Sequence, residues 1–160
     1  MEQVAYLKSL SKKICSVGAL FFDDQGRLLV LETSYKKGWT IPGGVVDSNE
    51  SLLEGLKREI GEEIGLDVSV KKLLVIEYKS GKVKEYFSES LQFIFFGGIL
   101  SKEGVEDIKV DGEEIVAFEF MEVNSALSML GENLSRRVRV ALDNIESSEV
   151  AFMDNGEKIV

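Results

Sequence analysis

The sequence has no histidine, one cysteine and one proline in 160 residues, and its acidic side chains outnumber the basic ones 28 to 19. Each scarcity excludes a kind of chemistry. Without histidine there is no Ser-His-Asp triad, no Cys-His pair, no HExxH zinc site and no imidazole general base. Cys15 alone makes neither an internal disulfide nor a cysteine zinc cluster, and reads as a buried strand residue. A net charge of −9 gains little from a nucleic-acid backbone or an anionic membrane, so DNA binding is not expected. A phosphorylated substrate then needs a local cation to offset the repulsion. No apolar run approaches the roughly 18 residues of a membrane span. Lys8, Lys12 and Lys13 precede the apolar run Ile14 to Phe22, as in a signal peptide. That run ends in Asp23-Asp24 with no small-residue cleavage pattern, so a first strand and a cytoplasmic location are expected. The sequon-like Asn133-Leu134-Ser135 is then chance. What chemistry remains runs on carboxylates, Lys, Arg, Tyr, hydroxyls or a metal bound through oxygen.

What is present is an ordinary globular balance, 44% hydrophobic and 29% charged, of a length that suits one domain over 1–160, with no internal repeat. Ile14 to Phe22 and Arg27 to Glu32 are β-rich runs around Asp23-Asp24-Gln25-Gly26, a hairpin signal. A polar loop, Thr33 to Lys37, leads to Gly38-Trp39-Thr40-Ile41-Pro42-Gly43-Gly44, where paired glycines bring bare backbone close to something. Val68 to Tyr78 reads as a strand and Lys79-Ser80-Gly81-Lys82 as a turn. Val83 to Leu100 holds one long strand or two, residues 101 to 113 a polar connection, and Ile115 to Val123 another strand. Helical patterns follow at Ser125 to Leu130 and Leu134 to Ile145. Strands around one embedded helix, closed by further helices, predict an α+β sandwich with a mixed sheet.

The embedded helix has clear ends. Ser51-Leu52-Leu53-Glu54 has capping-box spacing and Gly65 suits a left-handed stop, placing the helix at Leu52 to Ile64. At about 100° per residue, Glu59, Glu62 and Glu63 share an arc of about 100° bordering an apolar stripe of Leu53, Leu56, Ile60 and Ile64. Gly55 falls inside the acidic arc, where a missing side chain leaves room for a ligand or a loop. Like charges at these spacings destabilise a helix by a few tenths of a kcal/mol per pair, and they sit at the end disfavoured by the helix dipole. A solvated acidic face relieved by Lys57 and Arg58 is the plain explanation. A hard divalent cation, which takes oxygen ligands and is shared with phosphates, removes the strain outright. A calcium loop starting at Asp47 fails, because Leu52 stands where glycine is required and Arg58 where a bidentate glutamate is.

Gly44, Glu50, Arg58-Glu59-Ile60, Glu62-Glu63 and Gly65-Leu66, at these spacings, resemble the Nudix box at every fixed position. Seven fixed identities arise by chance on the order of once in 10⁸ start points. "GWTIPGG" and "DGEEIVAFEF" resemble their counterparts in the same family, extending the likeness over most of 14 to 142. The resemblance implies an α/β/α sandwich and Mg²⁺- or Mn²⁺-dependent hydrolysis of a nucleoside diphosphate linked to another group. It implies Glu59, Glu62 and Glu63 as metal carboxylates, with the carbonyl of Gly43 and a later glutamate, best matched by Glu114 with Glu113 as alternate. It also implies that Glu50 and Arg58 pair to hold the loop beside Gly44 against the helix. Glu59 is the favoured general base and Glu114 its rival.

Tyr35, Trp39 and Tyr78 suit base stacking or, equally, core and loop packing. Arg136, Arg137 and Arg139 suit phosphate contacts, but a solvated helix face explains them better. Nucleoside triphosphates, oxidised ones included, are the favoured substrates. Some ADP-ribose-cleaving members of the resembled family carry a proline shortly after the box; the only proline here, Pro42, precedes it, which disfavours ADP-ribose without excluding it. Dinucleoside polyphosphates and nucleotide sugars stay open, and charge disfavours capped RNA. A non-catalytic nucleotide sensor and a diphosphate isomerase are the alternatives, though every box carboxylate is present and Cys15 is ill placed for the latter. A homodimer is left open.

Overall fold

The run ICSVGALFF forms the strand around which the other elements assemble. In the computed structural model, which describes residues 2–35, 37–70, 72–83 and 86–160, β1 (Ile14–Phe22) has neighbours on both edges. It runs parallel to β6 (Tyr86–Ile99), from Ile14 opposite Ser90 to Phe22 opposite Ile99, and antiparallel to β4 (Gly43–Val45). Its far end meets β2 (Leu28–Thr33), where Phe22 pairs with Leu28. The turn between them is fixed by Asp23, whose carboxylate accepts the Gln25 and Arg27 amides at 3.0 and 2.8 Å. β2 also pairs with β3 (Trp39–Thr40) and β7 (Ile115–Met121). On the other side β5 (Lys72–Val83) pairs antiparallel with β6 and parallel with β8 (Ala151–Asp154), which carries β9 (Glu157–Lys158). The sheet is mixed, as expected.

Alternation along β1 decides the layers. Val17, Ala19 and Phe21 enter one buried cluster, with Leu56, Ile60 and Ile64 of α2 (Leu52–Ile64). Leu20 and Phe22 enter the other, with Ala126 and Leu127 of α4 (Val123–Met129) and Val138 and Ala141 of α5 (Glu132–Asp143). A strand apolar on both faces must be covered on both. The result is the α/β/α sandwich. Each fully buried Leu, Ile or Phe contributes roughly 1.5–3 kcal/mol.

Several expectations need correction. Lys79 to Lys82 do not turn; they continue β5, Lys79 opposite Ser90 and Lys82 opposite Phe87. Alternation across a long two-stranded ladder outweighs the local turn propensity of Ser80-Gly81. The link between the two strands falls at 84–85, outside the described residues, as do Lys36 in the 33–37 loop and Lys71 in the strand expected from Val68. Leu53 is not in the buried stripe; it is 49% exposed and lines a surface groove with Val68 and Val70. The polar connection of 101–113 contains α3 (Lys102–Glu106), capped by the Ser101 hydroxyl, which accepts the Gly104 amide at 3.1 Å. Cys15 is half-buried. An N-terminal helix, α1 (Glu2–Ser9), buries none of its residues. β8 and β9 carried a readable signal: Asn155-Gly156 is a two-residue hairpin turn, with φ of 50° and 93°. No helix among the described residues is long and apolar enough to cross a membrane.

Candidate active site

The helix that presents the acids is fixed at both ends. The Ser51 hydroxyl accepts the Glu54 amide at 3.2 Å while the Glu54 carboxylate accepts the Ser51 amide at 2.8 Å. Gly65 ends it in the left-handed conformation, φ 70°, its amide donating to the Gly61 carbonyl at 3.1 Å. Between these caps the arc of glutamates grades from core to water. Glu63 is 7% exposed, the Glu59 side chain 15% and that of Glu62 60%.

Glu63 turns inward onto β4, accepting the Gly43 amide at 2.8 Å. Its carboxyl is pushed up to about 8, by burial first and by the charges of Glu59, Glu114 and Asp111, against the lowering bond from Gly43. Glu59 is raised as well, by burial first, against the lowering bond from Arg58. Both glycines of the turn are required by close approach. A Cβ on Gly43, φ 143°, would lie 2.0 Å from the Val17 carbonyl oxygen, and one on Gly44 would lie 2.4 Å from the Glu59 carboxyl carbon.

Arg58 connects the loop to the acids. Its Nε and Nη2 grip the Glu50 carboxylate at 2.8 and 3.0 Å, and its Nη1 donates to Glu59 at 2.8 Å and Glu62 at 3.2 Å. Its Nη2 also donates to the Val45 carbonyl at 3.1 Å. Glu50 further accepts the Asp47 amide at 2.9 Å, and the Arg58 bonds, then that amide, hold its carboxyl below the usual range. The gap at Gly55 is taken by this loop and not by a ligand: a Cβ there would meet Glu50 at 2.9 Å and Val46 at 3.2 Å.

A second loop closes in from β7. Asp111 accepts the amides of Glu113, Glu114 and Ile115 at 3.0, 3.1 and 2.9 Å. The Glu114 carbonyl accepts the Ser34 amide at 2.9 Å, and the Glu113 carbonyl accepts the Ser34 hydroxyl. The two loops are thereby tied together. Glu114 and Tyr35 both reach the field of the acids: the Tyr35 phenol is raised by burial and by Glu63, Glu114 and Glu59. Sequence reasoning passed over Asp111, although Asp111-Gly112 marks a turn whose side chain bonds amides just ahead.

The donors suit a hard divalent ion. All are oxygens, Gly44 leaves bare space against Glu59, and Glu63 carries a raised carboxyl while Arg58 is occupied by Glu50, Glu59 and Glu62. Among the described residues no three acidic side chains stand in a finished ligand cluster. Arg58 draws Glu59 and Glu62 toward its guanidinium while Glu63 bonds to Gly43.

Other candidates lie elsewhere. Trp39 pairs with Glu32, bridges to Leu130 and packs on the core facing α4 and α5. The Tyr78 hydroxyl donates to Glu89 at 2.6 Å. Arg136 pairs with Glu132 at 2.7 Å, and Arg139 is exposed. Arg137 departs from the solvated face expected of it, being buried against Glu77 of β5 at 2.5 Å. Only the packing of α5 on the sheet reveals that pair.

Comparison with known proteins bears on the family and the fold. The profile of the NUDIX domain matches residues 12–141. The 8-oxo-dGTP diphosphatase of Buchnera aphidicola subsp. Schizaphis graminum is 32% identical over 93 residues, 54% of this chain and 66% of that protein. An RNA pyrophosphohydrolase of Halorhodospira halophila is 41% identical over 58 residues, 34% of this chain and 32% of that protein. The chain thus spans just under two thirds of the first relative and about a third of the second. The crystal structure of the MutT protein from Methanosarcina mazei Go1 superposes with a TM-score of 0.67 at 26% identity, covering 86% of this chain and all of that one.

Proposed function

We propose that this chain, which belongs to the NUDIX domain family, hydrolyses the phosphoric anhydride bond of a nucleotide derivative, a nucleoside triphosphate being the favoured substrate. One observation carries the reading: a buried carboxylate, Glu63, and a half-buried one, Glu59, stand against the bare backbone of Gly43 and Gly44 with their acidities weakened first by desolvation. Glu59, Glu62, Glu63 and Glu114, with the Gly43 carbonyl, are the groups that would hold Mg²⁺ or Mn²⁺. Such an ion supplies neutralisation of the diphosphate and acidification of a bound water.

The chain's own residues do the rest. Arg58, fixed by both oxygens of Glu50, orients Glu59 and Glu62. A bidentate guanidinium fixes direction as well as charge, which a lysine does not. With no histidine in the chain, a carboxylate must take the proton of the attacking water. Glu59 is the favoured base, because a carboxyl raised by burial is a stronger base near neutral pH than an exposed one. Glu114, brought in by the Asp111 loop, is its rival.

The test is incubation with a panel of nucleoside triphosphates, nucleotide sugars, dinucleoside polyphosphates and ADP-ribose in Mg²⁺, with products separated by chromatography. Nucleoside monophosphate and pyrophosphate from a triphosphate are expected, and chelation should abolish them. Tight nucleotide binding with no product across the panel makes the chain a nucleotide sensor instead.

A further inference from the structure

The Glu77–Arg137 pair raises a question that folding does not answer. Burying an ion pair is commonly no better for stability than packing two apolar side chains in its place. Here Glu77 is 1% exposed and Arg137 7%, and Arg137, with Glu77 behind it, stands in the wall of a cavity.

Strand register places it there. Ser16 of β1 lies opposite Gln92 of β6, and Gln92 opposite Glu77 of β5. Side chains alternate faces along a strand, so this row shares the face that α5 covers. On α5, residues one turn apart read the rows in order: Asn133 accepts from Lys79 at 3.3 Å and Arg137 meets Glu77. Between that row and β4 lies a cavity of about 240 Å³, lined by Ser16, Ile41, Gln92, Ile94, Leu134 and Arg137. Drug-sized ligands occupy roughly 300–1,000 Å³, so this space holds one ring system and not a whole nucleotide. The backbone of Gly43 and Gly44 forms its remaining edge. The same Gly43 amide bonds Glu63, and Gly44 faces Glu59. A ring in the cavity thus has its attached phosphates led across the glycine edge to the acids.

The polar groups on the wall select the ring. Arg137 donates an Nε hydrogen bond to Glu77; among the described residues its two Nη groups meet no protein acceptor and are open to water on the cavity side, since no buried side-chain nitrogen is left without a partner. Guanidinium offers donors only, in a planar fork, while the amide of Gln92, which already donates to the Ser90 hydroxyl at 3.0 Å, keeps an acceptor oxygen and a second N–H. Ile41, Ile94 and Leu134 supply apolar walls. An edge with two adjacent acceptors satisfies the fork, as the carbonyl and N7 of a 6-oxopurine do. The amino group of a 6-aminopurine sets donor against donor.

We propose that Arg137, positioned by Glu77, is the specificity-determining residue of a base-binding cavity that prefers 6-oxopurine over 6-aminopurine nucleotides. This rests on the function proposed above for its substrate class, but its test does not need turnover. GMP and AMP are titrated calorimetrically into the whole protein with chelator present. GMP should bind roughly tenfold to a hundredfold more tightly, the range of one bidentate base contact. Arg137→Lys keeps the charge without the fork and should bring the ratio below about threefold. The double variant Glu77→Leu, Arg137→Met replaces the pair with apolar groups, keeps a native melting transition, and should lose the ratio as well. Equal binding of GMP and AMP by the wild type, no binding of either, or an unchanged ratio in the folded double variant each overturn the proposal. Selective GMP binding by a wild type that hydrolyses nothing in Mg²⁺ would leave the cavity assignment standing and remove the hydrolase reading.

Discussion

Twenty positions apart in the chain, the Gly43 amide and the Glu63 carboxylate meet at 2.8 Å, and this bond welds the glycine turn to the acidic helix. It also holds a carboxyl where burial raises it from 4.5 to about 8. The folded, metal-free protein therefore keeps a proton that the unfolded chain releases. This contribution to stability is complete below about pH 4.5 and is lost as pH rises through about 8, a change on the order of 4–5 kcal/mol. With chelator present, the wild-type melting temperature should fall from pH 5 to 8.5. Glu63→Gln should flatten most of that slope, leaving a remainder of the same sign from Glu59, and should melt at least about 3 °C higher at pH 8.5. Parallel curves for the two proteins would remove the account. In Mg²⁺ the same variant should lose turnover by orders of magnitude; near-normal turnover contradicts the metal site.

The two glycines of the turn should fail differently. Gly43→Ala drives a Cβ into the Val17 carbonyl, which is backbone, so the variant should express poorly or melt far below wild type. Gly44→Ala meets the Glu59 carboxyl first, a side-chain end which can swing away. That variant should fold, with kcat reduced about a hundredfold, the usual consequence of displacing a catalytic group by an ångström. Circular dichroism melts beside steady-state rates separate the two, and equal behaviour would count against the contact geometry.

Arg58 reaches four carboxylates at once, hydrogen-bonding Glu50, Glu59 and Glu62 and standing 3.7 Å from Asp47. Arg58→Lys cannot span them and should weaken Mn²⁺ binding, read by electron paramagnetic resonance titration, by roughly 10- to 100-fold. Glu50→Gln keeps the shape but loses the charge and should fall between lysine variant and wild type. If Arg58→Lys binds Mn²⁺ as the wild type does, Arg58 does not orient the acids.

Gly65 holds φ 70°. Alanine there costs about 1–2 kcal/mol of left-handed strain and should lower the melting temperature by about 2–8 °C. Asparagine, which tolerates this conformation better, should lower it less. Equal melting of all three would mean that the helix end relaxes without cost.

Local signals were legible where local rules decide. The helix expected at Leu52 to Ile64 is the helix found, because a capping box and a left-handed glycine are satisfied within a few residues. The acidic arc was readable for the same reason, since helical spacing alone puts three carboxylates on one side. Leu53 was misplaced because the edge of an apolar stripe is buried only if something packs on it. Ser80-Gly81 looked like a turn because nothing nearby shows that a partner strand runs alongside.

The order of residues by itself determined the ends of α2, the charge it concentrates, the hairpin at Asp23 and the exclusion of histidine chemistry. These depend on backbone conformation and composition, which act over one or two turns of chain. Only the tertiary structure decided that Glu63 is buried while Glu62 is not, that Asp111 brings Glu114 near the acids, and that Arg137 finds Glu77 sixty residues away. Burial and the pairing of distant charges depend on which surfaces the sheet brings together, and that information is not carried by any short stretch of the chain.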